Sequence, residues 1–138
     1  MKLQKNTRLA LYSVLEFAAH PGAHVPAIEV AQKYGESVHH LAKVLSELAR
    51  AGIVESVRGV GGGYRFAANP RRLTLLDVIS LFEDLDTSTA SPALAATAVD
   101  RALGQVLAEV DQTTLATFGS ITVATMLGMI ERAERGRR

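Results

Sequence analysis

The chain has 138 residues, 48% of them apolar, a net charge of +1 and no cysteine. That length suits one domain, or a small domain with an appended element, and the missing cysteine excludes disulfides, thiolate-bound zinc, thiolate-ligated iron–sulfur clusters and thiol redox switching. No apolar N-terminal run with a cleavage site opens the chain, and the longest apolar-rich stretch, Phe118 to Ile130, is too short to span a bilayer, so a cytoplasmic protein without a membrane contact is expected.

Thr7 to Ala19 reads as a first helix. Leu9, Leu11, Tyr12, Leu15, Ala18 and Ala19 recur near helical spacing, Thr7 can cap, and Pro21-Gly22 ends the run. Pro26 suits the first turn of a second helix, which carries Ile28, Val30 and Ala31 and closes at Tyr34-Gly35. Ser37 is a good N-cap for a third helix, Val38 to Ala51, with Gly52 just beyond it. Leu41, Val44, Leu45 and Leu48 fall at i, i+3, i+4 and i+7, one buried face. The opposite face shows His39, Lys43, Ser46, Glu47 and Arg50, with His40 beside it.

Two short extended runs come next, Ile53 to Val57 and Tyr64 to Ala67, with the glycine-rich RGVGGGY stretch from Arg58 spanning the gap between them. This predicts a β-hairpin whose tip can adopt positive φ or approach another backbone closely. Asn69-Pro70 breaks it, and Thr74 with Asp77 resembles a capping box opening a helix through about Leu85. A polar loop, Asp86 to Ser91, precedes a long amphipathic helix from Ser91-Pro92 to about Asp111. Its stripe is Leu94, Ala98, Val99, Ala102, Leu103, Val106, Leu107 and Val110. Gln112-Thr113-Thr114 reads as a short break before a last helix to about Arg135.

Charge is unevenly spread. Residues 1–72 carry ten Lys/Arg against five Asp/Glu and all four histidines, whereas residues 73–138 carry five against nine. A basic first half suits a polyanion partner. Three helices and a hairpin form the winged helix-turn-helix order, and Ala31, Gly35 and Leu41 supply the small residue, turn glycine and anchor that such a unit needs.

A nucleotide-binding loop does not fit the glycines. A Walker-type loop needs Lys-Ser or Lys-Thr opening a helix, and a dinucleotide turn also needs a following helix; here Tyr64-Arg65-Phe66 continues in an extended run. A wing tip carrying Arg58 into a minor groove fits better. His39 and His40 with Glu36 make a poor metal set, because adjacent helical residues point about 100° apart. Asp84 and Asp86 read as a solvated loop rather than a metal site. Met126, Leu127, Met129 and Ile130 read as core or interface more than as an effector pocket. No catalytic triad or carboxylate pair is believable.

Taken together, MKLQKNTRLAL at the start, EVAQKYGESVHHLAKVLSELARAGIVESVRGVGGGYRFAANP and LTLLDVISLFED resemble the Rrf-two family of bacterial winged-helix transcription factors, closely over residues 1–85. VLAEVDQTTLATF is similar to the end of that family's dimerisation helix. The family includes iron–sulfur-cluster, nitric-oxide-sensing and cysteine-metabolism regulators. The resemblance implies a fold that is mainly α with a small β-hairpin: a winged helix-turn-helix DNA-binding domain over 1–85, and a polar loop with a helical dimerisation region over 86–138. It implies a homodimer on double-stranded DNA; pairing the long helix across a two-fold axis then leads to the expectation of a near-palindromic operator, with a repressor expected rather than an activator. By position, His39, Lys43 and Arg58 match DNA contacts. Ser37, Lys5 and Arg8 would meet phosphates, and His40 and Arg65 join the candidate set. Ala42 stands where some members carry a base-reading acid.

The departures from the family pattern are equally specific. Cluster-binding members carry three cysteines in the region that here spans roughly Leu85 to Ala98, and some supply an acidic ligand near the N-terminus, where this chain has Arg8. No cofactor or metal is therefore expected, and the switching signal is left open between a small molecule, a protein partner and no effector at all. The alternative reading is a winged-helix module that binds a partner protein instead of DNA.

Overall fold

The computed structural model describes residues 2–59, 62–85 and 97–137. Helices α1 (Lys5–Ala18), α2 (Ala27–Lys33) and α3 (Val38–Arg50) are followed by a hairpin of β1 (Val54–Val57) and β2 (Gly63–Phe66). Then come α4 (Leu75–Ile79), α5 (Ala98–Ser120) and α6 (Val123–Arg135). The chain is mainly helical with one antiparallel hairpin, in winged helix-turn-helix order, and carries a long helix near its C-terminal end.

The apolar spacing on α3 does what the sequence pattern requires. Leu41, Val44, Leu45 and Leu48 are all buried and join Leu9, Ala10, Val14 and Phe17 of α1 and Val30 and Ala31 of α2 in one cluster. Ala31 is 1% exposed, which lets α2 lie close to α3. Gly35 makes the turn between them at φ +67°, a conformation that costs a side chain about 1 kcal/mol or more.

Helix α2 is also fastened to α1. The Tyr34 hydroxyl donates to Glu16 Oε1 at 2.6 Å, and Lys33 Nζ lies 2.6 Å from the same oxygen. The Tyr34 ring stacks on Tyr12 with centroids 4.5 Å apart. Burial opposes ionisation of Glu16, but hydrogen bonds from Lys33 and Tyr34 outweigh it and hold the carboxyl below its ordinary value. Burial, then the neighbouring Glu16 carboxylate, pushes the Tyr34 phenol well above its ordinary value.

The hairpin pairs Val54 with Phe66, Glu55 with Arg65, Ser56 with Tyr64 and Val57 with Gly63. It is wider than two strands, because Val25 pairs with Tyr64 through bonds of 2.8 and 2.9 Å. A Cβ on Gly63 would lie 2.5 Å from the Val25 carbonyl oxygen and 2.8 Å from Pro26 N. Gly63 thus serves close backbone approach, fixing the hairpin against the entry to α2.

Four sequence expectations are corrected. Thr7 does not cap α1, which begins two residues earlier with Gln4 at its N-cap; Thr7 is fully buried, facing the core. Pro26 occupies the capping position of α2 rather than its first turn. The capping box of Thr74 and Asp77 is present, but α4 stops at Ile79 rather than running to Leu85. Leu81 N and Phe82 N bond three residues back, so the chain tightens into turns although the apolar spacing continues. Finally, Gln112-Thr113-Thr114 is not a break. α5 runs unbroken through them, and the Thr113 and Thr114 hydroxyls donate one turn back to the Glu109 and Val110 carbonyls at 2.9 and 3.0 Å, so their polar groups are accommodated within the helix.

The actual break comes at Ile121-Thr122. Ile121 is extended, and its carbonyl accepts from Leu75 N at 2.9 Å, while Val123 N donates to the Leu73 carbonyl at 2.8 Å. Thr122 caps α6, and Val123 plugs fully buried into the core cluster. The base of α5 is therefore bonded to the winged unit. The expected start at Ser91-Pro92 lies outside the described residues, and the described helix opens on a Thr97 cap.

Candidate nucleic-acid interface

The N-terminus of α3 is held from two sides. Ser37 Oγ accepts from the His40 backbone N–H at 3.0 Å, the predicted cap. Glu36 Oε1 accepts from Ser37 N at 3.2 Å, and Lys5 Nζ of α1 pairs with Glu36 Oε2 at 2.9 Å. The hydrogen bond from Lys5 holds the Glu36 carboxyl below its ordinary value against desolvation, with Ser37 N–H assisting. His40 Nε2 lies 2.8 Å from Asn6 Oδ1. The first turn of α1 thus clamps the first turn of α3 through two contacts, Lys5–Glu36 and Asn6–His40.

Beyond that clamp, α3 presents an uncovered face. His39 and Lys43 are one turn apart and exposed. Among the described residues neither has a hydrogen-bond or ion-pair partner. Arg50, further along, is taken by Glu47 at 2.7 Å.

The sequence-predicted residues fall into three groups. His39, His40 and Lys43 lie on α3 with Ser37 as its cap, and Lys5 of α1 is held at the same end of the helix by Glu36. Arg58 is exposed at the mouth of the wing and is without a partner among the described residues; Gly59 follows at φ +108°. Val60 and Gly61 lie outside the described residues. Arg65 differs: its Nε donates to Glu55 Oε2 at 2.8 Å across the hairpin, so it must leave a carboxylate to meet a phosphate. Arg8 is exposed on α1 and free among the described residues. Sequence reasoning missed Asn6 as the partner of His40, 34 positions away, and no local pattern links the two.

Helix α5 supplies the second surface. Val99, Leu103, Val106, Leu107 and Val110 are 54 to 74% exposed along a helix of 23 residues, roughly 34 Å long. These five aliphatic side chains form a continuous exposed row along the helix. Among the described residues, no helix is long and apolar enough to cross a membrane.

A three-helix unit with a capped, uncovered polar helix and a hairpin wing defines a winged helix-turn-helix transcriptional regulator. The model of the Rrf2 (Rrf-two) family, described as an iron-dependent transcriptional regulator, matches residues 3–128, and the chain belongs to that family. It is 47% identical over 135 residues to BadM of Rhodopseudomonas palustris, named as an HTH-type transcriptional regulator, covering 98% of this chain and 86% of that one. It is 35% identical over 85 residues to the HTH-type transcriptional regulator IscR of Vibrio campbellii, covering 61% of this chain but only about half, 51%, of that relative. Among solved structures, IscR of T. potens superposes with a TM-score of 0.78 at 28% identity, covering 96% of this chain and 90% of that one.

The iron in the family description does not fit the donor set present here. The sequence has no thiolate to offer, and among the described residues no three His, Asp or Glu side chains converge on a metal-sized site. His40 is engaged by Asn6, and His39 points away from it. An iron–sulfur cluster therefore has no ligands of the kind it requires.

Proposed function

We propose that this chain is a cluster-free, homodimeric, sequence-specific repressor of the cytoplasm that acts by binding DNA and not by catalysis. Each α3 enters a major groove, and each wing carries Arg58 to the adjacent minor groove. His39, His40 and Lys43 face the groove; Arg8 and Ser37 meet phosphates; Lys5 and Arg65 reach phosphates by exchanging Glu36 and Glu55 for them. The observation that carries the reading is the uncovered face of α3, with His39 and Lys43 free, together with a free Arg58 at the mouth of the wing.

The division of labour is residues 1–85 for DNA and 86–138 for pairing. Two α5 helices laid stripe to stripe hide their aliphatic rows and hold the recognition helices at a fixed separation. The bond pairs at Leu73–Leu75 and the buried Val123 support this, since they give α5 a firm seat on the winged unit. A small molecule or a protein partner supplies the signal.

Selection of bound duplexes from a random pool tests the proposal. The expected product is a near-palindrome whose half-sites are centred about 10 bp apart or a multiple of that. Failure to enrich any sequence at low salt contradicts it and leaves a module that docks a partner protein.

A further inference from the structure

The uncovered surface of α3 is not uniformly polar. Beside the His39–Lys43 row runs a second one, Val38 and Ala42, also one turn apart and therefore neighbours on the helix surface. Val38 is 43% exposed and belongs neither to the buried cluster nor to the hydrophobic residues packed on it. It occupies the first helical position, directly after the Ser37 cap. A β-branched side chain there adds little to the helix itself. Ala42 is half-buried and also outside the packed cluster. The row is thus a small aliphatic step in the end of the helix that reaches base edges in helix-turn-helix proteins.

The major groove offers one aliphatic group, the 5-methyl of thymine. An acidic side chain at position 42 would instead accept from the cytosine amino group. Alanine there removes that option and leaves the neighbouring valine with an apolar flank. Lys43 on the next row draws the surface onto phosphates, which places the aliphatic step against the groove floor rather than against solvent.

We infer that Val38, backed by Ala42, is a specificity-determining residue that reads the methyl group of one thymine in each operator half-site. This rests on the DNA-binding reading above and deepens it. It requires no new contact from the core, so Val38 variants keep the fold.

The test uses duplexes selected from a synthetic pool without methylcytosine, so thymine is the sole source of a pyrimidine methyl. Each thymine is replaced in turn by deoxyuridine in both half-sites, and binding is followed by fluorescence anisotropy. One position should lose affinity about fifteenfold, which is about fourfold per buried methyl-sized group taken twice. In Val38→Ala the same replacement should cost less than about twofold, because the contact is already gone. Val38→Thr, which keeps one methyl, should fall between. A flat scan with the unmodified protein, or an equal loss in Val38→Ala, overturns the inference and leaves DNA recognition standing. Failure to select any duplex overturns both.

Discussion

Gly63→Ala adds one methyl group at the seam between the wing and the entry to α2. The new carbon would lie 2.5 Å from Val25 O, 2.6 Å from Val25 C and 2.8 Å from Pro26 N. All three are backbone atoms, so no flexible side chain can yield. Restoring ordinary contact at 3.4 Å requires the two backbones to part by roughly 0.9 Å. That separation breaks or bends both Val25–Tyr64 hydrogen bonds, now 2.8 and 2.9 Å. At about 0.5–1.5 kcal/mol net for each bond, the loss is about 1–3 kcal/mol. Urea denaturation at fixed protein concentration measures it. The wing should also shift relative to α3, so operator affinity should fall. Gly104→Ala is the control: it sits inside α5 with nothing within 4 Å of the added carbon and no positive φ. There the same change should stabilise by about 0.5–1 kcal/mol. If Gly63→Ala is as stable as the unmodified protein, the wing is not fixed through this seam.

Three further outcomes follow from particular residues. Thr7 Oγ1 is buried without a hydrogen-bond partner, so the isosteric Thr7→Val should raise stability by about 1 kcal/mol in the same denaturation assay. Glu16 titrates below 4.5 in the folded protein, so on acidification the unfolded chain takes up this proton first. Its contribution is complete above pH 4.5 and is lost as pH falls through the lowered folded value; melting temperatures across that window should flatten in Glu16→Gln. Arg58→Ala should weaken specific binding by about 1–3 kcal/mol on an operator with A·T flanks, and unchanged affinity there removes the wing from the mechanism.

What the sequence made legible was periodic or local. The four-residue apolar row of α3 is a repeat that the core enforces, and Ser37 and Thr74 cap helices through bonds spanning three residues. The hairpin was legible because its strands are neighbours in sequence. Thr7 was misread because a threonine that faces a core and one that caps a helix look alike without the third dimension. The threonines of α5 were misread because their hydroxyls find carbonyls within their own helix. The clamp of Lys5 and Asn6 on Glu36 and His40, and the seam of Gly63 with Val25, join distant positions; only the folded chain brings them together. The lack of thiolates, by contrast, was visible at once, since an absent residue type needs no fold to interpret.

The central claim is that two copies grip one duplex through cationic side chains on α1, α3 and the wing. Titration of the selected operator with purified protein, at about 50 mM and about 200 mM salt, tests it most directly. Two protomers should bind each duplex, and six or more phosphate contacts should lower affinity about a thousandfold between those concentrations. One protomer per duplex, or an affinity that moves less than about tenfold, would contradict the account.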